Sequence, residues 1–313
     1  RSHAFVEIMD EARDLSLELL GLSGNDYTSI FLQGGASSQF LMTAYNFLKN
    51  EAAFLDTGTW SKKAIKEAKL FGNVDVLASS ENDNYNHIPN FEIAKNYDYF
   101  HCTSNNTIFG TQINSFPNTD NPIFCDMSSD IFSRALDFSK FDLIYAGAQK
   151  NLGPAGATLV VIKNDLLENI KDNVPSMMNY KVHADKSSMF NTPPVFSVYV
   201  SMLNMRWLKK MGGVSEIEKL NRKKAQLLYS EIDLNPLFNG HAREVDRSIM
   251  NATFNLSDDN FKDSFETMLA DAKITALSGH RSVGGYRASM YNAMSIDSVK
   301  VLVEVMSELE SKI

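Results

Sequence analysis

Between residues 29 and 94 short apolar runs alternate with amphipathic stretches, strand-like at 29–32 and 51–55 and helix-like at 38–48 and 61–71. Strand side chains repeat every two residues and helical ones every 3.6, so neither pattern can stand in for the other. Strands joined through a helix run parallel, because the helix carries the chain back to its starting edge. The alternation therefore calls for crossover units and a mostly parallel sheet with helices on both faces. Further strand-like runs at 99–102, 123–126, 143–146 and 158–162 make that sheet large.

With 313 residues the chain exceeds the usual size of one core, so a smaller companion domain is expected. A helical stretch over 201–232, with Ile217, Leu220, Leu227 and Leu228 on one stripe, is interrupted by Gly212-Gly213. The domain boundary is placed at that break, giving a large domain over 1–212 and a small one over 213–313. The small part reads as strand at 249–256, helix at 261–272, strand at 286–289 and a final amphipathic helix at 296–312. The expected fold class is α/β, a large domain with a mostly parallel mixed sheet flanked by helices, plus a smaller α+β C-terminal domain.

The formal net charge of -8 argues against non-specific nucleic-acid binding while leaving local cationic pockets open. Cys102 and Cys125 lie in apolar runs and form neither a disulfide framework nor a metal-binding spacing, which favours a reducing, cytoplasmic compartment. No bilayer-spanning apolar segment and no signal-peptide pattern is visible, so no membrane association is expected. The chain opens on Arg1 without a methionine, so a leader upstream stays an open question. No histidine pair has metal-ligand spacing, no metal is expected, and no Gly-x-Ser-x-Gly elbow points to a serine hydrolase.

The most informative site candidate is Lys150, where the apolar run from Phe141 ends in Gln149-Lys150 followed by the glycine-rich Asn151-Leu152-Gly153-Pro154-Ala155-Gly156. A poorly hydrated amine flanked by backbone that can approach a ligand is how a lysine is prepared for Schiff-base chemistry; an ordinary strand-end lysine is the plain alternative. Asp126 closes the earlier run Pro122-Ile123-Phe124-Cys125, and an acid and a lysine at neighbouring strand ends suit pyridoxal phosphate. Gly34-Gly35-Ala36-Ser37-Ser38-Gln39 follows a strand and opens a helix, a place where free N–H groups can cradle phosphate or merely start the helix. Trp60 stands at a loop-to-helix junction where its indole could stack on an aromatic ring or fill core, and Trp207 is assigned to the core. Ser104-Asn105-Asn106-Thr107 could offer a hydroxyl to a ligand or satisfy its own backbone. The segment from Gly279 to Arg287 sets His280, Arg281 and Arg287 among glycines and can wrap an anion, a solvated basic turn being the alternative.

Together these segments resemble the phosphoserine aminotransferase family, within the class V branch of fold-type I pyridoxal-phosphate enzymes. The residues that carry the resemblance are FLQGGASSQF (31–40), DTGTWSKKAIKEA (56–68), 103–110, DMSSDIFS (126–133), GAQKNLGPAG (147–156), NTPP (191–194) and GHRSVGGYRASMYNA (279–293). Seven motifs in the family's order span essentially the whole chain. The resemblance implies pyridoxal 5'-phosphate as cofactor, Lys150 as the Schiff-base lysine, Asp126 as partner of the pyridinium nitrogen, Trp60 as the stacking ring and Thr107 as donor to the phenolic oxygen. It implies that backbone at Ala36 and Ser37, with Gln149, holds the cofactor phosphate, joined by Asn191 and Thr192 of a second subunit in a homodimer with shared active sites. Arg287 would grip the substrate α-carboxylate, and Arg1, His280 and Arg281 would face the distal carboxylate or phosphate. Ser37 stands where some members carry an arginine, and the family's histidine before Arg1 lies upstream of this sequence.

The implied activity is transamination between L-glutamate and 3-phosphohydroxypyruvate, giving O-phospho-L-serine and 2-oxoglutarate in serine biosynthesis, with the phosphohydroxythreonine step of pyridoxine biosynthesis as a further option. The alternatives are another class V reaction, such as serine or alanine to glyoxylate, and a non-catalytic binding protein on the same scaffold.

Overall fold

The computed structural model describes residues 2–281 and 283–312. Helix α1 (His3–Leu19) leads into β1 (Tyr27–Leu32), α2 (Gly35–Phe47), β2 (Glu51–Asp56), α3 (Thr59–Ala68) and β3 (Asn73–Ser79). There follow β4 (Phe100–Thr103), the short hairpin strands β5 (Asn105–Asn106) and β6 (Thr111–Gln112), β7 (Ile123–Asp126), β8 (Leu143–Gly147) and β9 (Thr158–Lys163). Seven of these form one sheet in the order β1-β9-β8-β7-β4-β2-β3. Pairings from β8 through β7, β4 and β2 to β3 are parallel, and β9 runs antiparallel to both β8 and β1. The expected mostly parallel mixed sheet is present.

Why these strands read as unbroken apolar runs follows from what covers them. Along β8, Ile144 and Ala146 enter one core, with Phe5 and Met9 of α1 packed there too. Leu143 and Tyr145 enter the opposite core, with Phe40 and Phe47 of α2 and Ala64 and Ile65 of α3. A strand buried on both faces has no polar side to alternate with. Phe124 in β7 is fully buried and stacks on Tyr99 at a ring separation of 4.4 Å, so Phe124→Ala is expected to cost about 3–5 kcal/mol of stability.

After α4 (Asn164–Leu167) and α5 (Tyr180–Asp185), helix α6 (Val195–Lys210) starts six residues earlier than the sequence pattern suggests. Its N-cap is Pro194, and proline at a helix start loses no intrahelical bond, because the first N–H groups have no partner in any case. Gly212 and Gly213, at φ 99° and 78°, turn the chain into α7 (Gly213–Leu234). The small domain adds β10 (Phe238–Gly240), β11 (Asn251–Leu256), α8 (Lys262–Asp271), β12 (Tyr286–Ser289) and α9 (Ile296–Ser311), with an antiparallel sheet β10-β11-β12. Helix α7 serves two cores: Val214 and Ile217 join that of α1, and Ala225, Leu228 and Ile232 join that of the small sheet.

Candidate active site

The parallel strands β4, β7 and β8 all point their C-terminal ends toward one edge, where ligands of open α/β sheets bind. A cavity of about 260 Å³ opens there. Gly34, Gly35, Ala36, Ser37, Trp60, Asp126, Gln149 and Lys150 all lie on its wall. The structure thus assembles six of the residues singled out in the sequence: Ala36, Ser37, Trp60, Asp126, Gln149 and Lys150. Thr107 belongs with them, since Lys150 Nζ donates to Thr107 Oγ1 at 2.9 Å.

Strand β8 ends at Gly147, one residue past the expected 143–146 run, and Lys150 follows in the turn that leads into the glycine-rich segment. Burial lowers the affinity of Lys150 for its proton and the charge of Arg287 adds to that, while Asp126 works the other way. Asp126 is 4% exposed at the end of β7. Burial pushes its carboxyl above the ordinary range, against the Ser128 hydrogen bonds and the Lys150 charge. Ser128 N donates to Asp126 Oδ1 at 2.9 Å. A buried carboxylate that its neighbours leave undercompensated is a receptor for a cation.

Two further features fit a flat, phosphorylated ring. Helix α2 has Gly34 as N-cap at φ 96°, and a Cβ there would stand 1.9 Å from Ser38 Oγ, so the backbone can close around an anion only without a side chain. Trp60 sits over the amine, with Lys150 Nζ 5.6 Å from its ring centroid. Its helix is anchored by Ser61 Oγ, which accepts from the backbone N–H groups of Thr57 and Gly58 and donates to Asp56 Oδ1. Trp60 Nε1 and Thr103 Oγ1 are buried without hydrogen-bond partners among the described residues. These residues fit pyridoxal phosphate: acid for ring nitrogen, indole for ring face, cradle for phosphate, amine for the carbonyl carbon.

The remaining candidates lie elsewhere. Arg287, in β12, is half-buried, and its Nε has no partner among the described residues. His280 is half-buried and Arg281 exposed in the preceding loop, whose Val283, like Trp60, packs against the buried cluster of Tyr85, Ile108 and Phe109. Asn191 lines a neighbouring recess with Gln33 and Gly34, and the carbonyl of Thr192 accepts from Gln33 Nε2 at 2.7 Å. Within one chain, then, Asn191 and Thr192 flank the cradle from outside the cavity. Arg1 lies outside the described residues.

Sequence reasoning assigned no role to Thr103, Ser128 or Ser129, which line the cavity. Nor did it single out the buried pair Asp130 and Arg134, whose Nη2–Oδ2 separation is 3.0 Å and whose carboxylate also accepts from Ser104 and Gln112. The available signal was the dense polar run Ser128-Ser129-Asp130, one residue beyond Asp126, in a segment otherwise apolar.

Comparison with known proteins gives a consistent result. The family described as Aminotransferase class-V matches residues 1–302. A phosphoserine aminotransferase of Flavobacterium psychrophilum is 61% identical over 316 residues, covering 100% of this chain and 89% of its own. That of Bacillus subtilis is 49% identical over 317 residues, covering 100% and 88%. Among solved structures, phosphoserine aminotransferase from Bacillus circulans subsp. alkalophilus superposes with a TM-score of 0.96 at 40% identity, covering 100% of this chain and 88% of that one. The enzyme from Trichomonas vaginalis, described as bound to PLP, does so with a TM-score of 0.92 at 34% identity over 98% and 89%. Sequence likeness over nearly every residue and a shared architecture agree, and the chain belongs to the class-V aminotransferase family.

Proposed function

We infer that this protein is a pyridoxal-phosphate-dependent aminotransferase that moves the amino group of L-glutamate to 3-phosphohydroxypyruvate, giving 2-oxoglutarate and O-phospho-L-serine. The carrying observation is the half-buried Lys150 amine on the same small cavity as the undercompensated Asp126 carboxylate, with the Gly34 cradle on its wall. Relatives at 49% to 61% identity over the whole chain are phosphoserine aminotransferases, which supports the choice of substrates. The bound coenzyme would supply an electrophilic carbon and a sink for electrons.

The chain's own residues do the rest. Asp126 would hold the ring nitrogen protonated, and Trp60 would cover the ring face. The Ala36 and Ser37 backbone with Gln149 would hold the phosphate. Lys150 Nζ, its proton affinity lowered by burial, is free to take the α-proton of the amino donor and return one to the acceptor's carbon. Arg287 would grip the α-carboxylate that both substrates share, and Arg1, His280 and Arg281 the distal anion. An assay of holoenzyme with glutamate and phosphohydroxypyruvate, against pyruvate and glyoxylate, tests this. Equal turnover of glyoxylate would overturn the substrate assignment.

Several finer readings are proposals of the same kind. The protein would act as a homodimer in which Asn191 and Thr192 reach the partner's cofactor phosphate, consistent with their place outside the cavity of their own chain. It would work in the cytoplasm; no helix among the described residues is long and apolar enough to cross a membrane. The chain would divide into domains at 212/213, and the phosphohydroxythreonine step of pyridoxine biosynthesis would be a second use of the same site.

A further inference from the structure

One buried group of contacts is not used by the chemistry above, that of the tail Ser289-Met290-Tyr291-Asn292-Ala293 that follows Arg287. Asn292 is 6% exposed and makes bonds in three directions. Its backbone N–H donates to Asn151 Oδ1 at 3.0 Å, and Asn151 is the residue after Lys150. Its Nδ2 donates to the carbonyl of Phe132 at 3.0 Å, in the loop that follows Asp126. Its Oδ1 accepts from Asn221 Nδ2 at 2.9 Å, on α7.

Each neighbour is itself anchored. Asn151 Nδ2 donates to the carbonyl of Ser129 at 3.1 Å, and Asn204 Nδ2 donates to the Asn151 carbonyl at 2.8 Å. Phe132 sits at φ 58°, a left-handed conformation that persists only where surrounding structure supports it. Lys224 is 1% exposed and donates from Nζ to the carbonyls of Met290, Tyr291 and Met294 at 2.9 to 3.0 Å. A buried ammonium with three carbonyl acceptors holds that turn in one shape.

The consequence is geometric. Arg287 belongs to the small domain and Lys150 to the large one, and their separation must match the distance from an amino acid's carboxylate to its α-nitrogen. Five residues of chain and two hydrogen bonds span that gap, one from the Asn292 backbone to Asn151 Oδ1 and one from its side chain to the Phe132 carbonyl, and the second is the one an alanine variant loses. We propose that Asn292 is a positioning residue that sets the placement of Arg287 relative to Lys150, through its simultaneous bonds to Asn151, Phe132 and Asn221. The proposal rests on the reading of Arg287 as the α-carboxylate grip.

The test uses full-length holoenzyme and two probes. Steady-state kinetics with glutamate and phosphohydroxypyruvate depend on Arg287. Capture of the bound coenzyme by methoxyamine, which carries no carboxylate, depends on Lys150 and the cofactor alone. Asn292→Ala is expected to raise KM for both substrates about tenfold while kcat falls less than about threefold and the methoxyamine rate stays within about twofold. Unchanged KM, or a methoxyamine rate that shifts as much as KM, overturns the proposal. Arg287→Ala runs alongside: unchanged KM in that variant overturns the carboxylate reading itself, whereas a raised KM there with none in Asn292→Ala overturns only the positioning role. If Asn292→Ala does not fold, Asn221→Ala decides, since it removes one of the three bonds far from Lys150; about a threefold rise in both KM values supports the proposal and none overturns it.

Discussion

The back and front of the site are built in opposite ways. At the back, Asp126, Ser128, Ser129 and Asn151 are all 5% exposed or less and bonded to one another or to neighbouring backbone. In the segment proposed to meet the substrates, His280 and Arg287 are half-buried, Arg281 is exposed, and Gly284 and Gly285 hold positive φ. The contrast separates two tasks. A wall that shifts electron density must be preorganised and dry, because a charge stabilises another most where water does not compete. A gate for two different substrates, the role proposed for Arg287, His280 and Arg281, would have to admit and release anions, and cations near solvent suit that task.

That division makes predictions that grade from wall to gate. Lys150→Ala should reduce transamination below detection while the variant still binds the coenzyme; measurable turnover would break the comparison at its strongest point. Asp126→Asn should lower kcat by about 10²- to 10³-fold with little change in KM, the signature of a group that acts on the transition state. Arg287→Ala should raise KM for glutamate and phosphohydroxypyruvate alike by roughly ten- to a hundredfold, as loss of a charge-assisted contact does. If Asp126→Asn chiefly raised KM, or Arg287→Ala chiefly lowered kcat, wall and gate would not differ as stated. Gly34→Ala, which forces a side chain against Ser38 at a left-handed φ, should weaken coenzyme binding about tenfold, read by equilibrium dialysis.

The smallest effect concerns pH. His101, in β4 of the large sheet, is fully buried, hydrogen-bonded through Nε2 to the Tyr145 hydroxyl at 2.8 Å, and burial lowers its pKa to about 3. The unfolded chain takes up this proton near the ordinary histidine value of about 6.5, so the unfolded state binds more protons below that pH. Stability contributed by neutral His101 is therefore complete above about pH 6.5 and is lost as pH falls toward 3, with a slope of up to about 1.4 kcal/mol per pH unit. His101→Gln should flatten the fall of the urea midpoint between pH 7 and 5; parallel profiles would show that other groups dominate.

How much of this was legible in the sequence depended on burial. Strands β7 and β8, covered on both faces, announced themselves as apolar runs, and Asp126 and Lys150 stood out because they end those runs. Strand β3 gave no such signal: it is the sheet's outer strand, its residues are half-buried or exposed, and Asn73, Asp75 and Ser79 dilute the pattern. Helix α1 buries Phe5, Met9, Ala12 and Leu15 on one stripe but starts without a side-chain cap bond or an acidic first turn, so little in its sequence marks the start. The cradle, the stacking indole and the amine were visible as residue types, and folding placed them on one cavity. Thr103, Ser128 and Ser129 were not, because a small polar residue beside a strand end looks the same in sequence whether it faces a ligand or its own backbone. Nor could the sequence alone indicate that Asn292 would meet Asn151, 141 positions away.

Helix α7 carries a consequence for how the molecule comes apart. Its first turns are rooted among the residues that α1 covers and its later turns under the small sheet, so neither half can lose its interior without stripping part of the same rod from the other. Heat or denaturant should accordingly meet a single melting unit rather than two, and calorimetric and van 't Hoff enthalpies should coincide.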